Sequence, residues 1–198
     1  MSTTALILTA ALAQNVILVH YLGVGQLPTV LFHPRRAAVV SGVLTLALVW
    51  VAAVYWTVYR FVLLPLGLLV LVTPTLAVII GVSTLFGIRI ATYLLPYRRR
   101  AIVQVVPVAL VNTTVFVVAM ALVERVAPLW QVLVAALAAG AGAFLALVPL
   151  AAIRAESRNH RIPEPFRGDA SVYLGAAFMA LAIQQIDRLL HAFFVPLY

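Results

Sequence analysis

The chain contains no cysteine. It can form no disulfide, build no thiolate metal site and hold no iron–sulfur cluster on thiolates of its own. Lysine is absent too, so all 13 fixed cations are arginine, set against five acids. Charged residues make up 9% of the 198 positions, where a soluble domain carries about 25%. Neither common glycine-rich phosphate loop occurs, and no polar stretch is long enough for a nucleotide-binding domain. No carboxylate falls in the middle of an apolar run, and no nucleophile lies at useful spacing from a base. The histidines, His20, His33, His160 and His191, are too scattered to make a metal site. The net charge of +8 would by itself suit nucleic acid, but the arginines sit in short clusters between apolar runs, the pattern of membrane-protein loops. The residues therefore argue against a soluble enzyme, a metalloprotein and a nucleic-acid binder.

What is present is apolar surface. Hydrophobic residues make up 65% of the chain, and the mean hydropathy is +1.15. This is an integral membrane protein. A span needs about 20 apolar residues. Residues 4–22 make the first, and its start lacks the basic region of a cleaved signal. Residues 37–59 make the second; Trp50, Tyr55, Trp56 and Tyr59 in its later half read as an aromatic belt, with Arg60 at the interface. The run 61–95 is too long for one straight span, and Pro65 and Pro74 divide it into an interfacial or re-entrant piece, 61–72, and a third span, 74–94. The fourth is 101–123, broken early by Pro107; the fifth is 130–153, rich in alanine and glycine from Ala135 to Ala143 and so a packing face; the sixth is 170–186.

The fold class expected is thus all-α, with six transmembrane helices. Loops one–two (Arg35, Arg36), three–four (Arg98, Arg99, Arg100) and five–six (Arg154, Arg158, Arg161, Arg167) hold nearly all the arginine, and the other two loops hold only Arg60 and Arg125. The rule that positive loops stay inside puts both termini outside. Three spans per half then insert in opposite senses, giving two inverted three-helix repeats, residues 1–96 and 97–198. Each half has one polar interruption in an apolar span, Gln14-Asn15 with Gly23 and Gly25 in span one, and Pro107 with Asn112, Thr113 and Thr114 in span four. Hydrocarbon tolerates such breaks only where the freed groups face protein, water or a ligand. Two readings of Asn15 and Asn112 stand. They bond broken backbone turns and the other half, or, together with Thr114, they line a narrow ion or water path. A cation carrier needs a mid-membrane acid or a cage of carbonyls from broken helices, and only the second is available here.

Several stretches carry a family resemblance: Gln14-Asn-Val-Ile-Leu-Val-His-Tyr-Leu-Gly23, Leu64-Pro-Leu-Gly-Leu-Leu, Ala151-Ala-Ile-Arg154 and Ile162-Pro-Glu-Pro-Phe-Arg-Gly168, with Met179 and Leu181-Ala182 in the last span. The chain resembles the Rnf/Na⁺-NQR integral membrane subunits and is most similar to the A-type subunit of the Rnf electron transport complex. The resemblance implies a six-helix inverted repeat with both termini outside. It implies that spans one and four are interrupted at mid-membrane and that each supplies a cysteine to a [2Fe–2S] cluster shared with a sister subunit of inverted topology. That cluster relays electrons in a complex coupling redox chemistry to Na⁺ or H⁺ transport. At the two cysteine positions this chain has Gly25 and Thr113, and at the place of an acidic residue usual in the third span it has Ile88. Neither glycine nor threonine can replace a thiolate on iron.

The expectation is a non-catalytic membrane subunit of an Rnf/NQR-like complex in the bacterial cytoplasmic membrane. It binds no cofactor or metal itself; flavin and iron–sulfur centres belong to partner subunits. Its role is that of a scaffold or ion path, and Arg154 and Arg167 form a partner-facing loop. The alternative is a stand-alone small inverted-repeat transporter or accessory membrane protein on the same fold. Iron analysis and low-temperature EPR of the isolated chain should give no [2Fe–2S] signal; a stoichiometric signal would overturn the reading of Gly25 and Thr113.

Overall fold

The computed structural model describes residues 33–124, 127–157, 163 and 169–194. The expected first span, with Asn15, His20, Gly23 and Gly25, lies outside the described residues, as do Arg125, Arg158, Arg161 and Arg167. Six α-helices make up the described chain: α1 (Pro34–Val58), α2 (Val72–Leu94), α3 (Arg99–Leu110), α4 (Thr113–Glu124), α5 (Leu129–Glu156) and α6 (Asp169–Phe194), with no strand among the described residues. The stretch Pro34–Leu63, the stretch Leu69–Leu94 and α5 are each long and apolar enough to cross a membrane. The segments Pro96–Leu110 and Thr113–Val123 reach that standard only as a pair, bent by 45° at the break between them. By contacts the chain divides into two compact units, residues 42–140 and residues 1–41 with 141–198.

In the 42–140 unit, α1 does not stop where its aromatic residues begin. It passes into a π-turn over Tyr59–Leu63, and Leu64 N–H bonds Tyr59 O at 3.0 Å. Pro65 supplies the cause. It has no N–H to give the carbonyl four residues back, and its ring crowds that carbonyl, so the ladder widens just ahead of it. The helix then closes with a glycine in the left-handed region, Gly67 at φ 66°. Gly67 N–H bonds Leu64 O at 3.2 Å and Leu68 N–H bonds Leu63 O at 3.0 Å, the pair of bonds that defines a Schellman end. The piece expected to be interfacial or re-entrant, 61–72, is therefore in its first part a continuation of α1. A 3₁₀ turn, Leu69–Leu71, leads into α2, where Pro74 sits in the first turn and removes no bond.

The aromatic residues of this stretch divide between buried and exposed. Tyr55 and Tyr59 are buried, with ring centroids 6.1 Å apart. Trp50 is more than half exposed, yet its indole N–H reaches Ser83 Oγ on α2 at 3.3 Å. Trp56 donates to Ala127 O at 2.9 Å and so fastens the end of α1 to the α4–α5 connection. Position along the sequence identifies amphipathic side chains; only packing decides which of them turn inward.

The small residues of α5 do form a packing face. Ala135, Ala136, Ala138, Gly140, Ala143, Ala146 and Ala151 are buried. At Gly140 the approach is so close that an added Cβ would stand 2.5 Å from Thr45 Cγ2 and 2.7 Å from Thr45 Cβ on α1. In hydrocarbon, where lipid is as apolar as leucine, such backbone proximity is what holds helices together.

In the other unit, α5 and α6 meet at Gly175, where an added Cβ would lie 2.7 Å from Ile153 Cδ1. Helix α6 runs to Phe194, past the expected end at 186. Gln184, Gln185, Asp187 and Arg188 end the apolar run but are acceptable helix formers, so the helix outlasts the apolar stretch.

The two glycines predict different costs. Gly140→Ala drives a methyl into a stiff β-branched side chain and should destabilise by about 1–3 kcal/mol. Gly175→Ala meets only the free end of Ile153 and should cost less. Thermal unfolding of both variants in one detergent checks the order.

Candidate functional site

The polar interruption at Asn112 is built by two helix ends. Helix α3 contains Pro107 in its interior but does not break there. The proline removes one donor, yet its own carbonyl accepts Val111 N–H at 2.8 Å, which completes the last turn. The chain then leaves the helix at Val111, with φ −84° and ψ 55°. Asn112 starts the next one. Its side-chain Oδ1 accepts Thr114 N–H at 2.9 Å, and its carbonyl accepts Phe116 N–H at 3.2 Å. That is an N-cap: the asparagine supplies an acceptor to the second residue of α4, whose N–H has none within the helix. The expected early break at Pro107 is thus displaced to Val111–Asn112, four residues on.

Burial around the break is uneven. Thr114 is buried, Asn112 half-buried, and Thr113 exposed. Val106, Ala109 and Leu110 before the break, and Val115 and Val118 after it, are buried. Gly87 on α2 faces α3: a Cβ there would lie 3.3 Å from Val106 Cγ1 and 3.4 Å from Leu110 Cδ1. Thr113, at the position where the family resemblance puts a cysteine, is the first residue of α4. The matching position in span one, Gly25, and the matching asparagine, Asn15, lie outside the described residues.

Of the expected partner loop, Arg154 is described. The structure places it in the last turn of α5, because nothing after Ile153 stops the helix before Glu156. Its Nη2 lies 2.7 Å from Asp169 Oδ1, at the first residue of α6. The arginine side chain is 11% exposed and the aspartate 54%. Each charge also suits its own helix: a cation near the C-terminus of α5 and an anion at the N-terminus of α6. The buried Ser157 adds a bond from Oγ to Arg154 O at 2.9 Å. Neither the helical setting of Arg154 nor its pairing with Asp169 follows from sequence spacing, since the two lie far apart along the chain. Among the described residues no group of three or more histidines or acids is placed to hold a metal ion.

The family model for Rnf-Nqr membrane subunits matches residues 3–198. The chain belongs to the Rnf-Nqr family. The A-type subunit of the ion-translocating oxidoreductase complex of Yersinia pseudotuberculosis is 30% identical over 171 residues, covering 86% of this chain and 89% of the relative. The corresponding protein of Yersinia enterocolitica gives the same figures. That of Edwardsiella ictaluri is 29% identical over 184 residues, 93% of this chain and 95% of the relative. This Rnf-Nqr chain thus spans nearly the full length of the relatives it matches, and it lacks cysteine throughout.

The cap at the break makes a graded prediction. Asn112→Ala should destabilise by about 1 kcal/mol, and Asn112→Ser, which keeps an acceptor, should recover most of that. Unfolding midpoints of the three proteins under identical conditions are the check.

Proposed function

We propose that this chain is an integral membrane component of an Rnf/NQR-like ion-translocating electron transport complex in the bacterial cytoplasmic membrane. The observation that carries the proposal is the family match along residues 3–198, with relatives that are A-type subunits of an ion-translocating oxidoreductase complex. In this reading the chain has six spans in two inverted halves, 1–96 and 97–198, with both termini outside. The arginine distribution supports it, and so does the position of Asn15 and Asn112, which stand at nearly the same distance from the start of each half. The capped break at Val111–Asn112 is then the interruption of span four. Gln14-Asn15, with Gly23 and Gly25, is the sequence counterpart in span one in this reading.

The chain binds no iron–sulfur cluster in this reading, because glycine and threonine hold the places of the thiolates. Flavin and iron–sulfur centres belong to partners, including a sister subunit of inverted topology. What the interruption offers instead is polar backbone at mid-membrane. Last-turn carbonyls of α3, the Asn112 amide and the Thr114 hydroxyl are the groups a passing cation or water would meet. Arg167, with the paired Arg154, belongs to the face that meets the partners.

Mild solubilisation of the native membrane followed by affinity purification through a terminal tag tests the assignment. The chain should bring down membrane subunits carrying flavin and iron in fixed ratio. Recovery of the chain alone or as a homodimer would favour a stand-alone transporter and overturn the proposal.

A further inference from the structure

A cavity of about 380 Å³ opens in the 42–140 unit, lined among others by Trp56, Tyr59, Arg60, Leu64, Pro128 and Leu129. Its size falls in the usual range for a small-ligand site, about 300–1,000 Å³. Its position along α1 follows from helix geometry. The continuous helical stretch Pro34–Leu63 has 30 residues, about 45 Å at 1.5 Å per residue, which matches a bilayer with its headgroup layers. Arg60, three residues from its end, therefore stands at the polar boundary. Trp56 and Tyr59 are of the two residue types that favour that depth.

Among the described residues that line the cavity, the fixed charge has one sign. Arg60 is exposed and, among the described residues, makes no ion pair. Trp56 has spent its indole N–H on Ala127 O. The first turn of α5, which begins at Leu129 on the cavity wall, carries no acid to offset its dipole. The rest of the lining is largely apolar. A group that fits must bear negative charge next to an acyl or glycerol portion.

We propose that this cavity binds the phosphate of an anionic phospholipid, with Arg60 as the residue that recognises it. A guanidinium grips a phosphodiester through two parallel hydrogen bonds. The apolar wall at Leu64, Pro128 and Leu129 takes the start of the glycerol and acyl region. Zwitterionic phosphatidylcholine is disfavoured, because its ammonium would be brought toward the arginine. Bound lipid would bridge the end of α1 and the α4–α5 connection, the same two parts that Trp56 already joins.

Native mass spectrometry of the full chain, released from micelles containing phosphatidylglycerol or phosphatidylcholine, tests the site. The wild-type protein should retain one phosphatidylglycerol in preference to phosphatidylcholine. Arg60→Gln should weaken that retention by about tenfold, the size of one charge-assisted contact. Leu64→Trp, which fills the cavity and keeps the arginine, should do the same. Arg35→Gln, at the other end of the helix, should leave retention unchanged, and equal unfolding midpoints in phosphatidylcholine would show that the variants are folded. Free glycerol phosphate should not displace the lipid. Equal retention of both lipids by the wild type, undiminished retention in Arg60→Gln, or displacement by glycerol phosphate at concentrations matching the lipid would each overturn the proposal.

Discussion

A break between two apolar helices leaves backbone groups without helical partners, and each such group that is buried unsatisfied costs several kcal/mol. That constraint governs the region around Val111–Asn112. The carbonyl of Pro107 is met by Val111 N–H, the N–H of Thr114 is met by the Asn112 side chain, and the carbonyl of Asn112 is met by Phe116 N–H. Both helix ends are thereby partly closed by the chain's own atoms, and these local bonds sustain the 45° bend. The bend keeps these bonds because an asparagine caps the helix that follows it.

The same demand appears at polar side chains buried within the helices. Ser41 Oγ donates to Ala37 O at 2.7 Å, and Thr84 Oγ1 donates to Ile80 O at 2.8 Å. Hydroxyls that return to a carbonyl one turn back need no partner on another helix. Surface shape adds to the few polar contacts between helices, such as that of Trp50 with Ser83. Gly140 against Thr45 and Gly175 against Ile153 bring backbones close, while large residues such as Val70 and Phe86 face outward.

Much of this is legible in the sequence, and the differences have identifiable causes. Apolar runs locate α1, α2, α5 and α6 because length and hydropathy are properties of the sequence itself. The alanine- and glycine-rich stretch identifies the packing face of α5, but not the residue opposite Gly140, since partner identity is a tertiary fact. Pro107 marks a weakened helix without saying on which side it ends; the Asn-Thr-Thr sequence after it holds that answer as a capping signal. Pro65 reads as a divider, whereas the chain absorbs it by widening one turn. Arg154 resembles a loop residue because charge ends the apolar run. The helix continues through it because alanine and glutamate favour helix regardless of polarity. The span-one counterpart of Asn112 rests on the sequence pattern alone.

The pairing of Arg154 with Asp169 has a consequence for how this membrane protein can diversify. The ion pair and the contact of Gly175 with Ile153 join the end of α5 to the start of α6, so two positions distant in sequence are tied to each other. A change at Arg154 or Asp169 is therefore tolerated best when its partner changes with it. The two oppositely charged side chains are thereby one unit of change, set on two different helices.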